Sequence, residues 1–412
     1  MIEAVILAAS VALALLGLRL GLAPSLASVA LTLLALGRRA ELGPLPYVGP
    51  SAVDFGGYAE IFIATTALLG LAVLVYSKEY VEHRGLGRWF YGVLALYIIS
   101  LELIPAFDNL IYVFIAMELA VVTSFLLIYY FGYGDRAKIG IMYFIWSQVG
   151  SISFLIGAAL SGSYIPPYYL PFWPAALLVF GLLVKMGTAG VHFWLPYAHA
   201  EAPTPLSALL SPIHVGLMSY WLLALLPRSP LPSDVVAIYG AITAIYGSLL
   251  VFRESDIKRA LADSTIANMG LLAAAAALGN KEAVLMLFVG HALAKAAMFM
   301  VSGIGIAVQN ERRLGFLKLD LWTFAGSALG LVALAGVFGI TLLGKAYLAL
   351  SSPPFLAPFL YVALFATAVY NFYIFDRLYK AGRADVTSPL WMAVPMILTS
   401  IAPYVLLFAP WI

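Results

Sequence analysis

The chain has 412 residues, of which 63% are hydrophobic and 10% charged, with 22 basic against 20 acidic side chains and a mean hydropathy of +1.00. Soluble domains carry about 25% charged residues, so a soluble enzyme, a nucleic-acid binder and a disordered scaffold are excluded and the chain belongs in a bilayer. Cysteine is absent, which removes thiolate zinc sites, cysteine-held iron–sulfur clusters and disulfides.

Apolar runs of membrane-spanning length follow one another at about 2–20, 22–37, 58–76, 89–107, 109–131, 137–160, 172–196, 203–227, 234–252, 259–279, 282–308, 320–350, 354–378 and 388–410. They predict an all-α membrane protein with about 14 transmembrane helices, each near the roughly 20 residues a bilayer requires. The first run starts with Glu3 and lacks a basic leader, so it reads as a span and not a cleaved signal. The polar stretch 38–57, with Pro44, Pro46, Gly49 and Pro50, reads as the longest loop.

Predicted span 7 runs into Gly187 and Gly190 and then Pro196, Pro203 and Pro205, and predicted span 12 carries Gly336, Gly339 and Gly344. Both are expected to be broken, since proline removes backbone donors and irregular backbone at depth survives only beside protein or water. Five spans lie between two consecutive breaks, counting one of them, so the broken helices cross in opposite directions. That is the pattern of inverted repeats with discontinuous helices. The expected division is 1–88 for helices 1–3, 89–227 for a first repeat (helices 4–8), 228–378 for a second, inverted repeat (helices 9–13) and 379–412 for helix 14.

Basic residues orient the chain. Loops after odd-numbered spans hold Arg19, Lys78, Arg84, Arg88, Arg136, Lys138, Arg253, Lys258, Arg259, Arg312, Arg313, Lys318, Arg377, Lys380 and Arg383, which is 15. Loops after even-numbered spans hold Arg38, Arg39, Arg228 and Lys281, which is 4. The bias places the odd loops in the cytoplasm and both termini outside.

Three basic residues remain inside apolar helices: Lys185, Lys295 and Lys345. Glu118 is the deepest acid, about nine residues or ~14 Å into its helix. His291 precedes Lys295 by four residues, so the two share a helix face. Each intramembrane charge costs about 2.5–3.5 kcal/mol on insertion scales, which marks such residues as functional candidates. An amine and a carboxyl taken out of water both approach neutrality, and histidine titrates near neutral pH anyway. Bridged by water, such a row makes a proton path. His192 and His199, set around Pro196, read as caps of broken helix ends or as holders of water, not as a metal pair. His83 reads as solvated, and Asp256, Lys258 and Arg259 as an interfacial charge cluster.

Several segments resemble the antiporter-like membrane subunits shared by respiratory complex I, membrane-bound [NiFe] hydrogenases and multisubunit Na⁺/H⁺ antiporters. They are Tyr76 to Tyr80 (YSKEY), Met117-Glu118-Leu119, Lys185 followed by the stretch from His192 to Pro196 (HFWLP), Glu201 to Leu210 (EAPTPLSALL), Asp256 to Arg259 (DIKR) with Ser264-Thr265-Ile266, and Gly290-His291 to Lys295 (GHALAK). The resemblance implies that Glu118 pairs with Lys185, that Lys295 is a central relay lysine with His291 beside it, and that Lys345 lies on the route to the outside. Where many relatives carry a histidine or lysine on helix 8, this chain has Ser211 or Gly216, with His214 the nearby ionisable group. Water held by His192, His199, Ser211 and His214 is the expected bridge between Lys185 and Lys295. The function implied is proton translocation by one membrane subunit of a redox-driven complex, either complex I-like or a membrane-bound hydrogenase, in the plasma membrane. The redox cofactors would sit in partner subunits: further antiporter-like subunits and a peripheral redox arm. A Na⁺/H⁺ antiporter module and a structural subunit with an incomplete path are the alternatives. No cofactor or metal is expected in this chain.

Overall fold

A computed structural model describes residues 2–45, 48–161, 169–385 and 387–408; the last two positions of the predicted final span fall outside them. Among the described residues seventeen α-helices account for the predicted spans. In order they are α1 (Ile2–Leu20), α2 (Leu22–Thr32), α3 (Gly57–His83), α4 (Trp89–Ala106), α5 (Leu110–Phe131), α6 (Arg136–Leu160), α7 (Phe172–Met186), α8 (Trp194–Glu201) and α9 (Thr204–Leu209). They continue with α10 (Met218–Leu225), α11 (Ser233–Val251), α12 (Ile257–Ala277), α13 (Lys281–Gln309), α14 (Leu321–Ala335), α15 (Ile340–Leu350), α16 (Ala357–Ala381) and α17 (Leu390–Val405). Among the described residues twelve stretches are long and apolar enough to cross a membrane, and Leu22–Ala35 and Phe172–Met186 are shorter apolar helices.

Both expected breaks are present. α7 and α8 are the halves of span 7, separated at 187–193, and α14 and α15 are the halves of span 12, separated at 336–339. Span 8 is also irregular: α9 passes through one π-helical turn, Leu210–His214, before α10.

Burial grades the helices. The apolar windows of α12 and α13 are 100% and 94% buried, whereas that of α1 is 17% and those of α6 and α16 are 33%. The central helices therefore pack on protein all round, and the outer ones present residues such as Trp173 and Phe365 outward, as lipid-facing surfaces do. This is a multi-pass integral membrane protein.

The stretch 38–57 differs from the expected plain loop. β1 (Arg39–Leu45) and β2 (Gly49–Asp54) pair antiparallel, with Arg39 opposite Asp54 and Leu42 opposite Ser51. The hairpin is docked by residues from elsewhere. Asp108 accepts from Ala52 N (2.8 Å) and Ser51 Oγ (3.1 Å), and Asn109 donates to Val48 O and Pro50 O (both 3.1 Å). A two-stranded ribbon is marginal alone, so these partners decide that it forms.

Loops sort onto two faces as the alternation of basic residues requires. On one face the hairpin meets 107–109, Leu170 N donates to Arg228 O and Tyr58 donates to Lys281 O. On the other, Arg84 donates to Phe131 O, Tyr133 N to Glu201 O, Ile257 N to Arg312 O and Ala384 N to Leu319 O.

Candidate functional site

α5, α6 and α7 set the first group. Glu118 on α5 is half-buried, and its Oε2 accepts from Gln148 Nε2 of α6 at 2.7 Å. Lys185 in the last turn of α7 is buried, and its Nζ has no hydrogen-bond partner. The expected direct Glu118–Lys185 pair is not formed. The carboxylate acts on the ammonium through space, while the neutral amide of Gln148 holds it. Gly150 and Gly181 bring α6 and α7 together: a Cβ on Gly150 would stand 3.0 Å from Gly181 O and 3.0 Å from Lys185 Cγ. α6 thus both restrains Glu118 and walls the lysine stem.

The gap between Lys185 and Lys295 is filled by histidines. His214, at the end of the π turn, shares a 3.1 Å hydrogen bond between Nδ1 and Tyr97 OH of α4 and lies in electrostatic range of Lys185. The extra residue of a π turn re-aims the side chains around it. His199 on α8 is fully buried against Phe299, with both ring nitrogens unpartnered, and lies in range of His214, Lys295 and Lys258. Ser211 is bonded to Thr265 Oγ1 of α12 at 2.6 Å. His192 stands apart from the row; it bonds Tyr246 OH of α11 at 3.2 Å.

Lys295 on α13 donates to Ser264 Oγ and to Leu261 O (3.3 Å) of α12. His291, one turn away and buried, has both ring nitrogens unpartnered and feels both Lys295 and Lys345. Lys345 on α15 folds back on the break. Its Nζ donates to Ala335 O (2.7 Å), Leu334 O (3.3 Å) and Thr367 Oγ1 of α16 (2.9 Å). Gly336 is indispensable there. Its φ is 69°, and a Cβ would stand 2.5 Å from Lys345 Cδ. Both outer lysines therefore lie against the C-terminal, negative end of a half-helix.

A second polar line links α12 and α16. Asn268 and Tyr370 bond each other (2.9 Å) and both reach Ser264 O, while Asn371 donates to Thr367 O. These residues connect the surroundings of Lys295 and Lys345 along α12 and α16.

Residues 168–325 match the family described as NADH:quinone oxidoreductase/Mrp antiporter, TM. That segment holds Lys185, His199, His214 and Lys295. The chain is thus similar in this segment to that antiporter-like family. Its sequence is 30% identical over 322 residues to NADH-quinone oxidoreductase subunit L of Mycobacterium tuberculosis, covering 70% of this chain and 50% of that protein. It is 28% identical over 329 residues to NAD(P)H-quinone oxidoreductase subunit 5, chloroplastic, of Pelargonium hortorum, covering 69% and 44%. The chain thus spans half or less of the length of these curated relatives. In fold it is similar to a chain of respiratory complex I from Thermus thermophilus with bound NADH, at TM-score 0.87 and 20% identity, over 98% of this chain and 95% of that one. A chain of the membrane-bound sulfane sulfur reductase, an archaeal respiratory membrane complex, gives 0.86 and 19%, over 98% and 94%.

The chain also secures the far end of α8. Ala200 O accepts from Arg312 (3.0 Å), Glu201 O from Tyr133 N (2.8 Å) and Ala202 O from Lys258 Nζ (2.5 Å), while Arg84 lies 4.0 Å over the Tyr133 ring. Lys258, read from the sequence as part of an interfacial charge cluster, is fully buried and caps a helix end. His83 is exposed, as expected. Gln148, Tyr97, Thr265 and Thr367 were not foreseen as partners. Only two glutamines occur in the chain, and one of them in mid-membrane was the legible signal for Gln148.

Proposed function

We propose that this chain is a proton-translocating, antiporter-like membrane subunit of a redox-driven complex of the complex I or membrane-bound hydrogenase type. Protons pass along Glu118, Lys185, His214, His199, Lys295, His291 and Lys345. The observation that carries the reading is the filled gap. Every member of this row lies in electrostatic range of the next, from α5 across to α15. Oppositely placed half-helix ends at Lys185 and Lys345 suit the division into two inverted units, 89–227 and 228–378. Redox cofactors belong to partner subunits, including a peripheral arm, and further antiporter-like subunits lie alongside in the plasma membrane. Both termini face outside.

A row of ammonium and imidazole groups around one carboxylate carries protons by transfer between neighbours and water. A Na⁺ route along it would need oxygen ligands in place of nitrogens, which favours proton movement over Na⁺ antiport through this row. The test is proton uptake by proteoliposomes holding the assembled complex. Lys295→Met should abolish it while assembly and redox turnover of the peripheral arm remain measurable. Native proton uptake in Lys295→Met would defeat the proposal, and uptake that requires a Na⁺ gradient would favour the antiporter alternative.

A further inference from the structure

The N-terminal bundle α1–α4 holds a buried acid that the row does not use. Glu102 on α4 is 1% exposed, and both carboxylate oxygens are buried without a hydrogen-bond partner. Among the described residues no Lys, Arg or His acts on it; its polar neighbour is Thr32 of α2. A carboxylate in such a place needs a counter-charge, and this chain does not supply one.

The surrounding oxygens are matched to a cation. Thr32 Oγ1 lies 2.7 Å from Val29 O and within hydrogen-bonding range of Glu102; with its proton on Val29 O it offers lone pairs to a cation at that point. Ser10 Oγ on α1 is fully buried and also has no partner. Helix packing puts the three at one level. A Cβ on Gly17 would meet Ser25 Oγ and Gly92 Cα, so Gly17, Ser25 and Gly92 face one another. α2 and α4 run antiparallel to α1. Two turns on from that level, Ser10 stands opposite Thr32 and next to Ile99. Glu102 is one turn further along α4, and helical side chains lean back toward their own N-terminus, which returns its carboxylate to that level. Counting turns from the Gly17 contact thus brings one oxygen-bearing side chain from each of three helices to one level of the bundle.

We propose that Glu102, Thr32 and Ser10 form a monovalent-cation site that takes Na⁺, separate from the proton row. The donors are all oxygen, which suits a hard cation and not a soft or nitrogen-seeking metal. One carboxylate neutralises one charge, whereas a divalent ion would leave a surplus charge in an apolar bundle. A proton alone satisfies a single carboxylate oxygen and makes no use of Ser10. Glu102 lies four residues, or ~6 Å, from the end of α4 at Ala106, so the ion enters from the hairpin face.

The test is equilibrium retention of ²²Na⁺ by the full chain in lipid nanodiscs against a choline background. Saturable binding with one ion per chain is expected, weakening as pH falls because protons compete for the same carboxylate. Glu102→Gln should lower affinity at least ~10-fold, which is ~1.4 kcal/mol, and Thr32→Val should lower it measurably. Lys295→Met should bind as the native chain does, which separates this site from the row whichever way the row's own test falls. Absence of saturable ²²Na⁺ retention in the native chain overturns the proposal. So does a carboxylic-acid infrared band, assigned by its loss in Glu102→Gln, that persists at saturating Na⁺; Glu102 is then a neutral buried acid. If Glu102→Gln does not fold, unchanged affinity in both Thr32→Val and Ser10→Ala overturns it equally.

Discussion

Lys345 is both a proton carrier in the proposed row and the cap of a broken helix, and two substitutions separate these roles. The last four carbonyls of α14 have no intrahelical donor because the helix stops at Gly336. Val332 O and Ala333 O accept from Val337 N and Gly336 N, and Leu334 O and Ala335 O accept from Lys345 Nζ. Lys345→Met orphans the last two. Each buried unpaired carbonyl costs about 1–3 kcal/mol, partly offset because a buried ammonium no longer has to be desolvated. A net loss of about 1–3 kcal/mol in stability follows, seen as earlier thermal unfolding in detergent. Lys345→Gln keeps a neutral donor, so it should recover most of that loss, yet it carries no transferable proton at neutral pH. Proton pumping in proteoliposomes should therefore fall by ~100-fold, or ~2.7 kcal/mol, in both variants. Near-native pumping by Lys345→Gln would refute the carrier role and leave Lys345 as a cap alone.

Gln148→Leu removes the amide that holds Glu118. A hydrogen bond to a charged group is worth about 1.5–3 kcal/mol, so the carboxylate is freed toward Lys185 and pumping should fall ~10-fold; a native rate would show that Gln148 does not restrain the path. Asp320 caps α14 and accepts from Trp322 N (3.0 Å), Thr323 N (3.3 Å), Thr323 Oγ1 (2.7 Å) and Ser388 Oγ. Burial works to raise its pKa, but the Ser388 and Thr323 hydrogen bonds outweigh it and hold the carboxyl below the ordinary aspartate value. Its contribution is thus complete above that ordinary value of about 3.9 and lost as pH falls through the lower folded value. Asp320→Asn should flatten the acid limb of thermal stability, and an unchanged acid limb would count against the cap. Single cysteines at exposed Arg383 and exposed Glu41 have no native thiol to compete with, and should label from opposite sides of intact cells: position 383 from inside, 41 from outside. Outside labelling of 383 would reverse the orientation.

Composition and spacing by themselves determined that this is a polytopic membrane protein, where its spans lie and where two of them break. The reason is that hydrocarbon imposes a length and forbids unpaired backbone, and both constraints are written in consecutive residues such as Gly187, Pro196, Gly336 and Gly339. Lys185, Lys295 and Lys345 were legible for the same reason, since a charge in an apolar run stands out. Partnerships were not. Sequence placed Glu118 with Lys185, but which group an oxygen bonds depends on distances of a few tenths of an ångström, and the close approach of α6 at Gly150 and Gly181 gives Glu118 to Gln148 instead. The proposed bridge between Lys185 and Lys295 depends on a π turn that sets His214 against Tyr97 and on α8 burying His199, neither of which has a local signature. The hairpin at 39–54 forms on Asp108 and Asn109, more than fifty residues from the strands they hold. Glu102 was one acid among 20 until packing left it buried with no cation of its own, because burial and pairing are properties of neighbours that only the tertiary fold supplies.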